Sequence, residues 1–227
     1  MKRIAAVLLA FMLALPLSLA AAFAAEPYSL DNFVPVRDDE CRFTDISGWS
    51  APWIVRAFEY GFVVGLTDEI FAPEDYVKTA ESVALCVKLY STYSGIGFDY
   101  ADYKRDGDTA WYDPYVRYAL EQGFVDIGEL GVIDESPCTR AMTAHLWSKI
   151  IKDKDLKPIN TVNSLPDVAP GAPYYAEIVK LYEAGILKGN DSNGTFAPDE
   201  GITRAQYITM FLKLIDVSAR SSGHVYG

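Results

Sequence analysis

The chain has 227 residues, half of them hydrophobic and 13% aromatic, with 31 acidic against 20 basic side chains and a net charge of −11 at neutral pH. That composition belongs to a globular protein and excludes a disordered one. The acidic excess also excludes a general nucleic-acid binder and works against adhesion to anionic polymers, so an anionic ligand has to be caught at a local basic spot.

The chain opens with Met1-Lys2-Arg3, continues through an apolar run over residues 4–22, and reaches the small residues Ala22-Phe23-Ala24-Ala25. A basic start, an apolar middle and a small-x-small end make a secretory signal peptide over residues 1–24. No other stretch is long and apolar enough to span a bilayer, so export with no membrane contact after cleavage is expected. Three cysteines follow, Cys41, Cys86 and Cys138. An odd number in an exported chain leaves at least one thiol unpaired or intermolecular. Cys86 lies on an apolar helical face, and Cys41–Cys86 is the candidate bridge. There is no Cys-x-x-Cys to suggest zinc or a thioredoxin-type site, and neither metal nor cofactor is expected.

Three rows of residues then recur. The first holds Phe43-Thr44-Asp45, Trp49, Ile54, Ala57, Gly61, Gly65, Phe71-Ala72-Pro73 and Val77-Lys78-Thr79-Ala80-Glu81. The second holds Trp111-Tyr112, Val116, Ala119, Gly123, Pro137 and Cys138-Thr139-Arg140-Ala141-Met142. The third holds Leu165-Pro166-Asp167, Tyr174-Tyr175, Ile178, Leu181, Gly185, Gly189, Phe196-Ala197-Pro198 and Ile202-Thr203-Arg204-Ala205-Gln206. Gly61, Gly123 and Gly185 fall 62 residues apart, a period too long for tetratricopeptide, ankyrin or leucine-rich repeats. The rows occupy residues 41–100, 101–160 and 161–220, ahead of a flexible tail at 221–227.

In each row, apolar residues at three-and-four spacing predict a first helix, over residues 49–60, 112–122 and 174–184. Each stops at a glycine able to take the left-handed conformation. A loop follows. In the third row, Asn193-Gly194 before Thr195-Phe196 reads as a tight turn that buries Phe196 like a plug. Asp191-x-Asn193 lacks the further ligands and the terminal Glu of a calcium loop.

The second helix of the third row starts at Thr203-Arg204-Ala205-Gln206. Thr203 reads as the N-cap, and Gln206 closes a capping box. Arg204 then stands beside unpaired N–H groups at the positive end of the helix dipole, where an anion is welcome. Its guanidinium adds a planar fork suited to a carboxylate or phosphate. The alternative is a well-capped helix start with a solvated arginine. Such a helix cannot bury its apolar face inside one row, so the three are expected to share a core in one pseudo-threefold, mainly all-α domain. Between rows, residues 152–162 are charged and hold Pro158, as suits a surface linker or a frayed helix end. Residues 218–227 are small and polar and are expected to be disordered.

These rows resemble the S-layer homology domain, whose pattern is Phe-x-Asp, Trp-Ala, an aliphatic helix, Gly-Ile-x-x-Gly, a turn ending in Phe-x-Pro, and Ile-Thr-Arg-Ala-Glu. The third row matches through Gly185-Ile186-Leu187-Lys188-Gly189, Gly194-Thr195-Phe196-Ala197-Pro198 and Ile202-Thr203-Arg204-Ala205. The resemblance covers residues 41–217. It implies three helix-loop-helix repeats forming a three-pronged spindle around a central helical bundle. It further implies non-covalent anchoring at the bacterial cell wall and surface, through a secondary cell-wall polysaccharide that carries pyruvate ketals and is attached to peptidoglycan.

Carried over position by position, Arg140 and Arg204 would meet the negative charge. Trp49 and Trp111 would either stack on sugar faces or pack as large hydrophobes. Gly61, Gly123 and Gly185 would be backbone positions near the grooves. Asp45 and Asp167 lead into the first helices and are better read as turn or cap residues. The first repeat departs from the pattern: Thr79 stands where the arginine belongs, and Lys78 could supply charge but no bidentate fork. The second lacks the leading Phe-x-Asp, and the third has Pro173 in place of tryptophan. A competing reading is a scaffold that has lost sugar binding and pairs with other surface-layer proteins. A hydrolase is not expected, since no positioned catalytic constellation is visible and the histidines, His145 and His224, have no nucleophile motif to serve.

Overall fold

The computed structural model describes residues 27–227. The expected signal peptide lies outside the described residues. Six helices of two turns or more organise the chain: α1 (Ala51–Glu59), α2 (Thr79–Ser94), α3 (Asp113–Glu121), α4 (Arg140–Ile150), α5 (Tyr175–Glu183) and α6 (Arg204–Ile215). One-turn helices lie at Tyr100–Tyr103 and Ile127–Leu130. A two-residue parallel pair joins β1 (Thr161–Val162) to β2 (Val225–Tyr226). The fold is mainly helical, as the periodicity predicts. No helix among the described residues is long and apolar enough to cross a membrane.

The first helices, α1, α3 and α5, end where expected. Gly61, Gly123 and Gly185 follow their last residues with φ of 69°, 75° and 73°. Prolines in the first turns of α1 and α3 fit positions that have no intrahelical N–H bond to lose. The second helices, α2, α4 and α6, are apolar over most of their surface because they form the centre. Their side chains meet at the buried Tyr207, whose hydroxyl accepts from Trp147 Nε1 at 3.3 Å and lies 3.9 Å from Cys86 Sγ. The Trp147 and Tyr207 rings pack edge to face at 5.0 Å.

The repeats are interlocked rather than stacked. Val77 N–H donates to Ile202 C=O, Ile202 N–H to Cys138 C=O, and Cys138 N–H to Val77 C=O, at 3.0, 2.9 and 2.8 Å. These three residues stand at one position in the three repeats and close a ring on the pseudo-threefold axis. The first helix of each repeat packs on the second helix of the preceding one: α3 on α2, α5 on α4 and, closing the circle, α1 on α6. Each lobe is therefore built from two repeats.

Three expectations need correcting. The cysteines are all free. Cys86 is fully buried against Tyr207 in the central bundle, and Cys41 is half-buried in the segment ahead of α1. The tail is ordered: Tyr226 is buried against Tyr182, their rings at 5.1 Å, and β2 pairs with the linker strand. Of the two readings of residues 152–162, the surface linker stands, most of it exposed, and the frayed end does not. Leu156 is buried, and Asp155 accepts the Tyr93 hydroxyl at 2.6 Å. Polarity alone misleads at both places, because one aromatic or aliphatic side chain is enough to pin a short polar segment.

If lobes need two repeats, a fragment of residues 161–227 should show no cooperative thermal transition by circular dichroism, whereas residues 27–227 should unfold in one. A cooperative melt of the fragment would contradict the interlock.

Candidate functional site

Each lobe centres on a loop that closes over the start of a second helix. In the first repeat the Asp45 carboxylate accepts from the N–H of Phe71 at 2.8 Å and of Ala72 at 2.7 Å. In the third, Asp167 accepts from Phe196 at 2.9 Å and Ala197 at 2.5 Å. Ala72 and Ala197 sit at φ of 58° and 57°, a left-handed conformation that costs a non-glycine residue on the order of 1–2 kcal/mol. The carboxylate holds them there, and Phe71 and Phe196 are driven into the core. The aspartates are thus loop clamps. The second repeat lacks both the aspartate and the Phe-Ala-Pro turn, and a one-turn helix capped by Asp126 replaces them.

The loops hand their carbonyls to the next helix around the ring. Arg204 and Ala205 donate their N–H groups to Asp75 and Pro73 C=O at 2.8 and 2.9 Å. Arg140 and Ala141 donate to Glu200 and Pro198 C=O at 2.9 and 3.0 Å. Thr79 and Ala80 donate to Ser136 and Asp134 C=O at 2.8 and 2.9 Å. The Thr203 and Thr139 hydroxyls take the third N–H in α6 and α4. The helix starts that looked open to an anion are therefore satisfied by neighbouring backbone, and the dipole argument for a ligand there falls.

The motif arginines follow the same hand-off. Arg204 Nε donates to Phe71 C=O at 2.9 Å and Nη2 to Val64 C=O at 3.0 Å, with the guanidinium 4.5 Å over the Phe71 ring. Arg140 is buried, donates from Nε to Phe196 C=O at 2.7 Å, and lies 5.0 Å over the Phe196 ring. Burial pulls both guanidinium pKa values down, partly opposed by nearby acids. Each arginine thus locks the clamped phenylalanine of the following lobe. In α2, Thr79 substitutes with a shorter reach, its hydroxyl 3.3 Å from Ser136 C=O. Lys78 occupies the N-cap position, half-buried.

The residues expected to bind are not gathered in one place. Trp49 precedes α1 and is 59% exposed, so it is no core residue. Trp111 is half-buried against Tyr112 and Tyr115 and donates from Nε1 to Glu135 at 2.6 Å. Following the interlock, Trp49 shares a lobe with Arg204, Trp111 shares one with Lys78 and Thr79, and Arg140 shares the third with Pro173. The glycines end the first helices away from the ring. Gly61 and Gly185 are buried and Gly123 is exposed. A Cβ on Gly185 would stand 2.3 Å from Ser221 O, and one on Gly61 2.7 Å from Val36, whereas Gly123 has nothing within 4 Å.

Sequence reasoning missed the cluster around His145. That side chain is buried at the α4–α5 contact, with Nδ1 3.1 Å from Glu177, Nε2 3.2 Å from Glu129, and the Tyr174 ring at 4.3 Å. Nothing in the spacing of these residues announces it, since they come together only when the third repeat docks on the second.

Comparison with known proteins places an S-layer homology domain at residues 164–208. A stretch of 151 residues, 66% of the chain, is 27% identical to an endoglucanase of Bacillus sp. (strain KSM-635), and the chain spans 14% of that protein's length. The domain implies a place at the cell surface and anchoring there.

Two substitutions separate the glycines. Gly123→Ala should cost about 1 kcal/mol, for the positive φ alone. Gly185→Ala should cost roughly 1–3 kcal/mol more, because Ser221 backbone fills the space; equal losses in denaturant unfolding would refute the close approach. A third concerns Lys213, buried with Ser221 Oγ at 3.0 Å as its partner. Burial, then Lys188, lowers its pKa. A lysine with a folded pKa below its unfolded value penalises the fold while charged, and the penalty fades as pH rises towards the ordinary lysine range near 10.4. Lys213→Met should therefore gain most over the parent at pH 7 and progressively less towards pH 10, as read from unfolding midpoints.

Proposed function

We propose that this chain anchors non-covalently to the bacterial cell wall by binding an anionic, pyruvylated secondary polysaccharide attached to peptidoglycan, and that the lobe carrying Trp49 and Arg204 is its main sugar contact. The observation that carries this reading is the make-up of that lobe: a largely exposed tryptophan precedes α1, and α1 packs on α6, the helix that starts at a motif arginine. An exposed indole offers a flat apolar face on which a sugar ring can stack. Arg204 Nε and Nη2 are committed to carbonyls, which fixes the plane of the guanidinium. Trp111 and Lys78 offer a weaker version in the next lobe, with a point charge in place of a fork. The role is one of binding rather than catalysis.

A second reading has the scaffold pairing with other surface-layer proteins. What favours it is that both motif guanidiniums already serve protein carbonyls.

The test is retention on purified cell-wall sacculi stripped of protein, with and without the polymer. Wild type should be retained only when the polymer is present. Trp49→Ala, a surface change, should weaken retention about tenfold, the loss of about 1.4 kcal/mol of binding. Arg204→Lys should weaken retention as well and, by freeing two carbonyls, lower stability by about 1–3 kcal/mol. Retention that survives removal of the polymer would refute the glycan reading in favour of protein pairing.

A further inference from the structure

The three second helices carry a lysine at the same turn: Lys88, Lys149 and Lys213. Two turn inward. Lys88 Nζ donates to Gly61 C=O and lies 4.9 Å over the Phe62 ring, and Lys213 Nζ donates to Ser221 Oγ. Lys149 stays at the surface, 3.1 Å from the exposed Glu129 carboxylate. The difference follows the glycines, because the first and third repeats have their helix ends covered by Val36 and by Ile159 with Ser221, and the second does not.

Beside this uncovered edge lies an open depression of about 630 Å³ between Tyr28 and residues 148–154. The Tyr28 hydroxyl is 3.3 Å from that of Tyr90, which donates to Gln122, next to Gly123, at 3.2 Å. Lys149, Lys152 and Lys154 rim the depression, Lys149 paired with Glu129 at 3.1 Å and Lys154 with Asp155 at 3.2 Å. Lys152 Nζ sits 4.7 Å over the Tyr28 ring and makes no ion pair with a described carboxylate. Asp153, the acid on the rim, is engaged by Lys180.

We infer that this depression is a second binding site, for a carboxylate-bearing saccharide. It rests on the anchoring reading above and adds a place where the ligand's charge is met. The Tyr28 ring holds the exposed Lys152 ammonium in place, where it can meet a carboxylate, and the shallow, open shape suits a polymer better than an enclosed small molecule. On a chain of net charge −11, its lining sets three lysines against one aspartate, and Lys152 is the one of the three with no ion pair to a described carboxylate.

The test titrates oligogalacturonate, a carboxylated glycan, into the isotopically labelled protein and follows amide shifts, alongside retention on sacculi. Shifts at Tyr28, Lys149 and Lys152 are expected. Lys149→Gln with Lys152→Gln should weaken oligogalacturonate binding and wall retention at least tenfold, with the thermal midpoint unchanged, and added salt should weaken the parent in parallel. No shift at these residues, or an unchanged titration in the double variant, overturns the site and leaves anchoring through the Trp49 lobe standing. A parent that binds oligogalacturonate here yet is not retained on sacculi overturns the anchoring reading and supports the site.

Discussion

Three backbone hydrogen bonds, from Val77 to Ile202, from Ile202 to Cys138 and from Cys138 to Val77, set the terms for everything else. Each residue gives its N–H to one neighbour and its C=O to the other, so removing one member leaves two buried groups without partners. Such groups are costly, and the ring therefore forms as a unit. With the three N-terminal helix ends fixed around one axis, each helix start falls under the loop of the next repeat. The first two amides of α2, α4 and α6 then find carbonyls there. The arginine side chains go the same way because they leave the first residue of the helix, directly beneath the phenylalanine that the loop has buried.

Much of this was legible in the sequence, and the rest was not for definite reasons. The glycines at 61, 123 and 185, the stripes of apolar residues and the Thr-Arg-Ala starts announced helices, their ends and a threefold core. They do so because helix periodicity and left-handed glycine leave side-chain signatures. The hand-off of carbonyls between repeats leaves none, since any residue supplies a backbone carbonyl. Arg204 could therefore look like an open anion site when its neighbourhood was already filled. For Trp49 and Trp111 the sequence alone leaves core and surface equally open. The structure separates them, because Trp111 has Tyr112, Tyr115 and Glu135 to lean on and Trp49 projects from the turn before α1. The clamping aspartates have the sequence signature of turn residues, which is near the truth, but their partners lie 26 to 30 residues away.

The candidate site divides accordingly. Motif residues near the ring hold the lobes in shape and present aromatic surface. The charge that an acidic polymer would seek is richer at the other end of the bundle, where the second repeat leaves its edge bare and the lysines after α4 gather around Tyr28. A repeat architecture permits this, because each lobe can lose or gain surface features independently so long as the central bonds are kept.

The lobe that holds Trp49 is also the seam where the molecule closes on itself. Arg204 reaches back 133 residues to Phe71 and 140 to Val64. A chain emerging amino end first makes α1, its loop and the Asp45 clamp long before the helix that covers them exists. The entropy of so long a closure is only modestly above that of a short one, since it grows with the logarithm of the span. The waiting, however, is built into the topology. Until α6 arrives, the apolar faces of α1 and Phe71 lack their lid, and the nascent protein carries an unsealed flank until its synthesis is nearly complete.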